Sequence, residues 1–119
     1  STLDLFPTFM SAANKDVDAD LHLDGVNLLP YIMGEKQDAP HDTLFWMTHN
    51  QGAVRAGDWK MIFSSAAEVQ LFNLKDDLPE QRDLAVDNPE LVQQLLKAWK
   101  DWNEPFPLSA SDQKKFTVD

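Results

Sequence analysis

The sequence predicts an α+β fold, in which a small four-stranded, mostly antiparallel sheet packs against a carboxy-terminal helix and follows short helical segments. Three observations predict it. Residues 44–74 contain four short runs of bulky apolar side chains. The dipeptide Gly57-Asp58, which is typical of two-residue hairpins, separates two of these runs. Residues 89–102 then repeat apolar side chains at helical spacing.

Two short helical segments come first. Residues 5–13 form the first, with Asp4 as its candidate N-cap and Pro7 in the first turn, where amide hydrogens lack intrahelical partners. Its apolar side chains share one face: Leu5, Phe6, Phe9 and Met10. Residues 28–33 form the second segment, which Gly34 ends. Polar loops at 14–23 and 35–42 separate these segments from each other and from the sheet.

The predicted strands are residues 44–49, 53–56, 59–64 and 69–74. Successive side chains of a strand point to opposite faces, so the third strand has two different sides. One side carries Trp59, Met61 and Phe63, and the other carries Lys60, Ile62 and Ser64. A helix is therefore expected to cover the first face, while the second is only partly polar.

The covering helix begins after Asn88, a good N-cap, with Pro89 at its first position and Glu90 at the positive end of the helix dipole. Six residues form its apolar stripe: Leu91, Val92, Leu95, Leu96, Trp99 and Trp102. Four tryptophans are interpreted as core rather than as a carbohydrate platform: Trp46, Trp59, Trp99 and Trp102. The polar residues 105–119 lack periodicity and are a candidate for disorder.

Composition indicates a compact soluble domain. The 119 residues are 43% hydrophobic and carry a net charge of -10, which disfavours nucleic acid and anionic membranes as partners. No apolar run approaches the roughly 20 residues that span a bilayer, and no signal-peptide pattern is visible. The absence of Cys excludes disulfides and thiolate chemistry and leaves the compartment open.

Four blocks of the chain, residues 2–9, 23–35, 54–62 and 71–85, carry a family resemblance. The first contains Asp4-Leu5-Phe6-Pro7-Thr8, the second Asp24-Gly25-Val26-Asn27-Leu28-Leu29-Pro30, and the third Val54-Arg55-Ala56-Gly57-Asp58-Trp59-Lys60. In this order they resemble the carboxy-terminal subdomain of formylglycine-dependent, arylsulfatase-like sulfatases. Asn27 stands where the family usually has Ser, and Pro79 lies one place after the usual proline.

The resemblance implies a larger α/β domain elsewhere, with a formylglycine nucleophile, a calcium ion and hydrolysis of sulfate esters through a covalent sulfate intermediate. Formylglycine arises from Cys or Ser in a Cys/Ser-x-Pro-x-Arg motif, which this chain lacks. We therefore predict no catalytic residue, metal ligand or cofactor here, and no activity of the chain alone. Residues 1–43 would join the larger domain, 44–104 would form the sheet and helix, and 105–119 the tail.

An incomplete calcium-binding pattern lies in residues 16–27. An acidic run imitates the start of a calcium loop: Asp16, Asp18, Asp20 and Asp24. However, Leu21 stands where the loop needs Gly and Asn27 where it needs Glu, so a solvated acidic loop is the preferred interpretation. His22, His41 and His49 show no spacing typical of zinc ligands.

Three residues are candidates for substrate contact. His49, in the turn between the first two strands, could donate a hydrogen bond to a sulfate oxygen or sugar hydroxyl. Arg55 and Lys60 could bind sulfate, since cationic side chains form charge-assisted hydrogen bonds with oxyanions. The preferred interpretation is structural: His49 is an unpartnered loop residue, and Arg55 pairs with an acidic neighbour, for example in residues 76–77 or Glu80, and locks the sheet to the following turn.

Two function classes remain open. The chain is either the carboxy-terminal part of a sulfatase, which completes the fold and borders the cleft, or a free-standing module of the same ancestry without enzymatic activity. Its expected partner is the missing catalytic domain in the first case and a second copy, forming a homodimer, in the second.

Overall fold

In the computed structural model the structure describes residues 1–18, 20–48, 51–64 and 68–103. The chain divides into two compact units, the amino-terminal unit Ser1–His41 and the sheet unit Asp42–Asp119. The amino-terminal unit contains a 3-10 turn (Thr2–Asp4), α1 (Leu5–Ala12) and α2 (Leu29–Ile32). The sheet unit contains β1 (Thr43–Met47), β2 (Gln51–Ala56), β3 (Trp59–Ser64), β4 (Gln70–Asn73) and α3 (Pro89–Asn103). The predicted α+β class is confirmed.

Asp4 organises the amino-terminal unit, but not as a helix cap. Its backbone is helical, with φ -81° and ψ -14°, and its side chain makes no cap hydrogen bond. The fully buried carboxylate instead accepts hydrogen bonds from the Ser1 amino group at 2.7 Å and the Val26 N–H at 2.9 Å. His41 Nε2 lies 2.6 Å from the same carboxylate. The predicted N-cap is therefore wrong, because partners distant in sequence occupy this side chain.

Further polar contacts join α1 to the start of α2. The Thr8 hydroxyl donates to the Asp4 carbonyl oxygen at 2.6 Å and accepts from the Leu28 N–H at 2.9 Å. Asn27 donates through Nδ2 to the Ser11 hydroxyl at 2.9 Å, while its Oδ1 accepts from the Leu29 N–H at 3.0 Å. These hydrogen bonds connect α1 to the start of α2.

The amino-terminal unit presents its large apolar side chains to solvent. Its buried residues are Asp4, Pro7 and Thr8 among those the structure describes. Eight large apolar side chains of this unit are exposed, and the six in the 3-10 turn, the two helices and the residue after α2 are what we call the apolar surface: Leu3, Leu5, Phe6, Phe9, Ile32 and Met33. Phe9 is 65% exposed and Ile32 73% exposed. This distribution is the reverse of the usual one, in which apolar side chains are inside.

The sheet is an antiparallel meander in the order β1-β2-β3-β4. β2 and β3 are joined by the two-residue turn predicted from the sequence, since Ala56 pairs with Trp59 across it. Gly57 adopts a φ of +56° in this turn, a left-handed conformation that glycine reaches without steric cost.

One face of the sheet forms the core with α3. Phe45, Val54, Met61 and Leu71 lie side by side across the four strands. α3 places Leu95 and Trp99 against this face, and both are buried. Two aromatic contacts join the layers: Phe63 meets Trp99 edge-to-face at 4.9 Å, and Phe45 stacks on Trp102 at 5.1 Å. The predicted packing of the sheet on the carboxy-terminal helix is confirmed.

Gly52 makes room for the aromatic contact at Phe63. It pairs with Phe63 across β2 and β3, and a Cβ at this position would lie 2.3 Å from the Phe63 ring. Any larger side chain would therefore displace the ring from Trp99.

A short segment covers the outer edge of β4. Asp83 Oδ1 accepts hydrogen bonds from the N–H groups of Leu71, at 3.0 Å, and Ala85, at 2.9 Å. The Leu84 N–H donates to the Leu71 carbonyl oxygen at 2.7 Å. Backbone groups that an edge strand would otherwise leave free are thereby satisfied.

Candidate functional site

The face of the sheet opposite α3, which we call the outer face, contains a pocket of about 540 Å³. Successive side chains of a strand point to opposite faces of the sheet. The residues that alternate with the core residues therefore point to the outer face. The pocket is lined by Trp46, Thr48, Gln51, Gly52, Ala53, Arg55, Lys60, Ile62, Leu74, Leu78 and Glu80. It brings two of the three predicted substrate contacts, Arg55 and Lys60, into one concave site.

Arg55 and Lys60 are directly opposite each other on β2 and β3. Like charges in this arrangement repel and destabilise the strand pair. Glu80 relieves the repulsion, because its Oε1 lies 2.6 Å from Lys60 Nζ and both side chains are only 28% exposed. Lys60 therefore enters the pocket as half of an ion pair.

The turn that delivers Glu80 is ordered by Asp77. The Asp77 carboxylate accepts hydrogen bonds from the backbone N–H groups of Arg82, at 2.8 Å, and Gln81, at 3.1 Å, and these bonds lower the pKa of Asp77. Glu80 itself has a φ of +56°, an uncommon conformation for a residue with a Cβ. The local backbone is thus constrained so that the Glu80 side chain reaches Lys60.

Arg55 is exposed, and the predicted pairing with residues 76–77 or Glu80 is wrong. Its Nε donates to the Gly57 carbonyl oxygen at 3.4 Å, and among the described residues no acidic side chain forms an ion pair with it. The reason is position in the sheet: the acidic turn follows β4, which adjoins β3 and Lys60, whereas Arg55 lies one strand farther away.

Trp46 also lines the pocket, although the sequence predicts it to be core. It lies in the row Trp46, Ala53 and Ile62 on the outer face and is 44% exposed. Its neighbour Phe45 takes the inward position and stacks on Trp102. Sequence reasoning missed Trp46 because every residue from 44 to 47 is apolar and no alternation marks the two faces of β1.

The third predicted contact, His49, lies outside the described residues, so its position stays a prediction. The residues on either side of that gap, Thr48 and Gln51, both line the pocket. They close the strand end through a hydrogen bond from the Thr48 N–H to the Gln51 carbonyl oxygen at 2.8 Å.

Two curated sulfatases share sequence with the chain. The uncharacterized sulfatase YdeN of Escherichia coli (strain K12) is 46% identical over 48 residues, which are 40% of this chain and 9% of that protein. The steryl-sulfatase of Rattus norvegicus is 30% identical over 74 residues, which are 53% of this chain and 12% of that protein. No protein-family model matches the chain.

Solved structures share the fold. That of Ps i-CgsB superposes with a TM-score of 0.69 and 26% identity over 95% of this chain and 25% of its own, and the same protein has been crystallised with k-i-k-neocarrahexaose. The chain is sulfatase-like in sequence and in fold. The matches span about an eighth or less of the two curated sulfatases and a quarter of the Ps i-CgsB chain.

Sulfatase relatives imply a calcium ion and a formylglycine, and neither the described residues nor the sequence offers a match to these groups. The described residues contain no cluster of three or more His, Asp or Glu side chains placed to hold a metal ion. The sequence has no Cys and no Ser-x-Pro-x-Arg from which formylglycine could arise. In the ranges that the structure covers, no helix is both long and apolar enough to cross a bilayer.

Proposed function

We propose that this chain is the carboxy-terminal part of a sulfatase, a sulfuric ester hydrolase. In this role it completes the fold and borders the substrate cleft, while a larger domain supplies the nucleophile and the calcium ligands. The coverage of Ps i-CgsB supports a larger domain outside this chain. The match covers 25% of the Ps i-CgsB chain, so about three quarters of that chain lies outside it.

The apolar surface of the amino-terminal unit is the observation that most favours a missing domain. A surface with six exposed large apolar side chains around a hydrogen-bonded polar interior is unusual for a free-standing protein. Contiguous exposed apolar patches on soluble proteins mark interaction sites. We propose the catalytic domain of the same sulfatase as the partner that covers this surface.

The outer-face pocket would contribute to the substrate cleft. We propose Arg55, Lys60 and His49 as contacts to a sulfate ester, with Arg55 as the cation that pairs with sulfate oxygens and Lys60, whose charge Glu80 balances, as a further hydrogen-bond donor. Because Ps i-CgsB has been crystallised with an oligosaccharide, a sulfated saccharide is the substrate class that we propose for the complete enzyme.

The coding sequence upstream of Ser1 tests the assignment. We expect the same reading frame to continue upstream and to encode a Cys/Ser-x-Pro-x-Arg motif. A start codon directly before the Ser1 codon would contradict this and favour the alternative, a self-associating module of sulfatase ancestry without catalysis.

The purified 119-residue chain should not hydrolyse a chromogenic aryl sulfate, with or without calcium. The covalent step requires a nucleophile that nothing in this sequence can replace. The measurement is release of the phenolate over hours at high protein concentration. Turnover that survives repurification and disappears on mutation of a residue of this chain would overturn the proposal.

A further inference from the structure

We infer that the outer-face pocket binds a sugar ring carrying a single sulfate group, with the sulfate on Arg55 and the apolar face of the ring on Trp46. The choice of sulfate as the anion rests on the proposed function. The roles of the two side chains rest on the geometry of the pocket itself.

Arg55 is the cation available to a ligand in this pocket. Lys60, the other cationic lining residue, is neutralised by Glu80 at 2.6 Å. Arg55 is exposed, and its one hydrogen bond within the described part of the chain is a long one to the Gly57 carbonyl oxygen, which leaves its other guanidinium N–H donors for a ligand. A planar guanidinium can donate two parallel hydrogen bonds to one oxyanion, which suits two oxygens of a sulfate ester.

Trp46 offers the flat apolar surface that a sugar ring needs. Its indole is 44% exposed within the pocket, and Ile62 lies in the same row of the outer face two strands away. The axial hydrogens of a pyranose form an apolar face, and covering that face and the indole removes both from water. A site that bound only a small anion would not need an exposed indole side chain.

The spacing of the two side chains suits one sugar unit. Trp46 pairs with Ala53, and Arg55 follows Ala53 by two residues on the same face. Such diagonal neighbours have Cα atoms about 7–8 Å apart. A ring stacked on the indole can therefore direct one sulfate substituent to the guanidinium, while its hydroxyls face the polar lining residues Thr48, Gln51 and Glu80.

Overall charge restricts the ligand further. The chain has a net charge of -10, so a densely sulfated polymer is repelled by the protein as a whole. A ring with one sulfate group matches the single unneutralised cation and limits that repulsion. The pocket is thus expected to distinguish a monosulfated sugar from both the neutral sugar and the free anion.

Titration of the 15N-labelled chain with D-galactose 4-sulfate, D-galactose or sodium sulfate, followed by NMR, tests the proposal. The indole N–H signal of Trp46, assigned by its loss in Trp46→Phe, should shift with the sulfated sugar. Its half-saturation concentration should be at least tenfold lower than those of galactose and sulfate. Arg55→Ala and Trp46→Ala should each weaken binding of the sulfated sugar about tenfold, and backbone amide signals of β2 replace the indole signal as the readout in Trp46→Ala.

Matched controls separate the pocket from general effects. Lys97→Ala removes an exposed cation on α3, and Met47→Ala truncates a partly exposed apolar side chain beside Trp46 that does not line the pocket. Both should change the half-saturation concentration less than twofold. No shift with the sulfated sugar, or equal affinities for the sulfated sugar and free sulfate, would overturn the proposal, as would unchanged binding by Arg55→Ala.

The outcome of this titration is independent of the outcome of the upstream-sequence test of the proposed function. Absence of sugar binding would leave an upstream Cys/Ser-x-Pro-x-Arg motif unaffected, and a chain without that motif could still be titrated. Preserved signal dispersion in each variant would show that the fold is intact, so a loss of binding reports on the pocket.

Discussion

Among the described side chains, the Asp4 carboxylate has the most polar partners: the Ser1 amino group, the Val26 N–H and His41. Burial raises the pKa of its carboxyl group, but hydrogen bonds from the Ser1 amino group and the Val26 N–H, together with His41, outweigh burial and lower the pKa from 3.8 to about 2. The carboxylate is therefore bound more strongly than the protonated acid would be. A group with a lowered folded pKa stabilises the fold above its unfolded pKa and loses that contribution as the pH falls.

Asp4→Asn should consequently destabilise the amino-terminal unit at pH 7, and the difference from the parent chain should shrink on acidification. The contribution is complete above about pH 4 and lost as the pH falls through about 2, which amounts to roughly 2 kcal/mol. Denaturant unfolding at several pH values, followed by NMR signals of this unit, measures it. Asp16→Asn, at an exposed site, should stay within about 0.5 kcal/mol of the parent. A pH-independent gap for Asp4→Asn would contradict the expectation.

The role of Asp4 is invisible to local sequence reasoning. A carboxylate before an apolar run is a good N-cap by pattern, yet its partners Val26 and His41 are 22 and 37 residues away. The same limit applies to Glu80, which the sequence suggests as a partner of Arg55 and which pairs with Lys60 instead. Only the strand order, which places β3 beside β4, decides in favour of Lys60.

Helices and strands were better predicted than individual contacts wherever the sequence has a clear period. The stripe of α3 and the Gly57-Asp58 turn lie as expected, because helical spacing and turn chemistry are local properties. β1 lacks such a signal. Its continuous apolar run conceals that Phe45 faces the core while Trp46 faces the pocket, and this concealed the most informative residue of the candidate site.

Trp99 tests the packing of α3 on the sheet. It is 3% exposed and meets Phe63 at 4.9 Å, so Trp99→Ala should leave a cavity between the layers and cost on the order of 3 to 5 kcal/mol. Val86→Ala is the control, since Val86 is 93% exposed and its truncation should change stability by less than about 0.5 kcal/mol. Urea denaturation gives both values. Matching midpoints for Trp99→Ala and the parent would mean that α3 does not depend on this contact.

For the chain in its entirety, the apolar surface and the net charge of -10 act against each other in solution. Exposed Leu5, Phe6 and Phe9 favour association when no larger domain covers them. Repulsion between copies opposes it, but at ~0.15 M salt screening confines that repulsion to about 8 Å. We therefore expect apolar contact between copies to outweigh their charge repulsion at physiological salt.

The isolated chain should accordingly self-associate, and the double variant Phe6→Asp/Phe9→Asp should not. Both residues are about half exposed or more, so their replacement removes apolar area without opening a core. Light scattering across a concentration series gives the mass of each protein. If the parent chain is a monomer at every concentration and binds no hydrophobic dye, this surface does not drive association.

The meander has a consequence for how the sheet unit reaches its fold. Every strand pairs with its neighbour in sequence, so no distant segment must be found before pairing begins. Since the entropy of loop closure grows with loop length and folding slows as contacts become less local, the β2–β3 hairpin is the least expensive starting point. Pairing can then spread outward to β1 and β4 before α3 docks.

Gly57→Ala should slow folding in stopped-flow measurements, because Gly57 has a φ of +56° in the hairpin turn. Truncation of a side chain within α3 should mainly make unfolding faster.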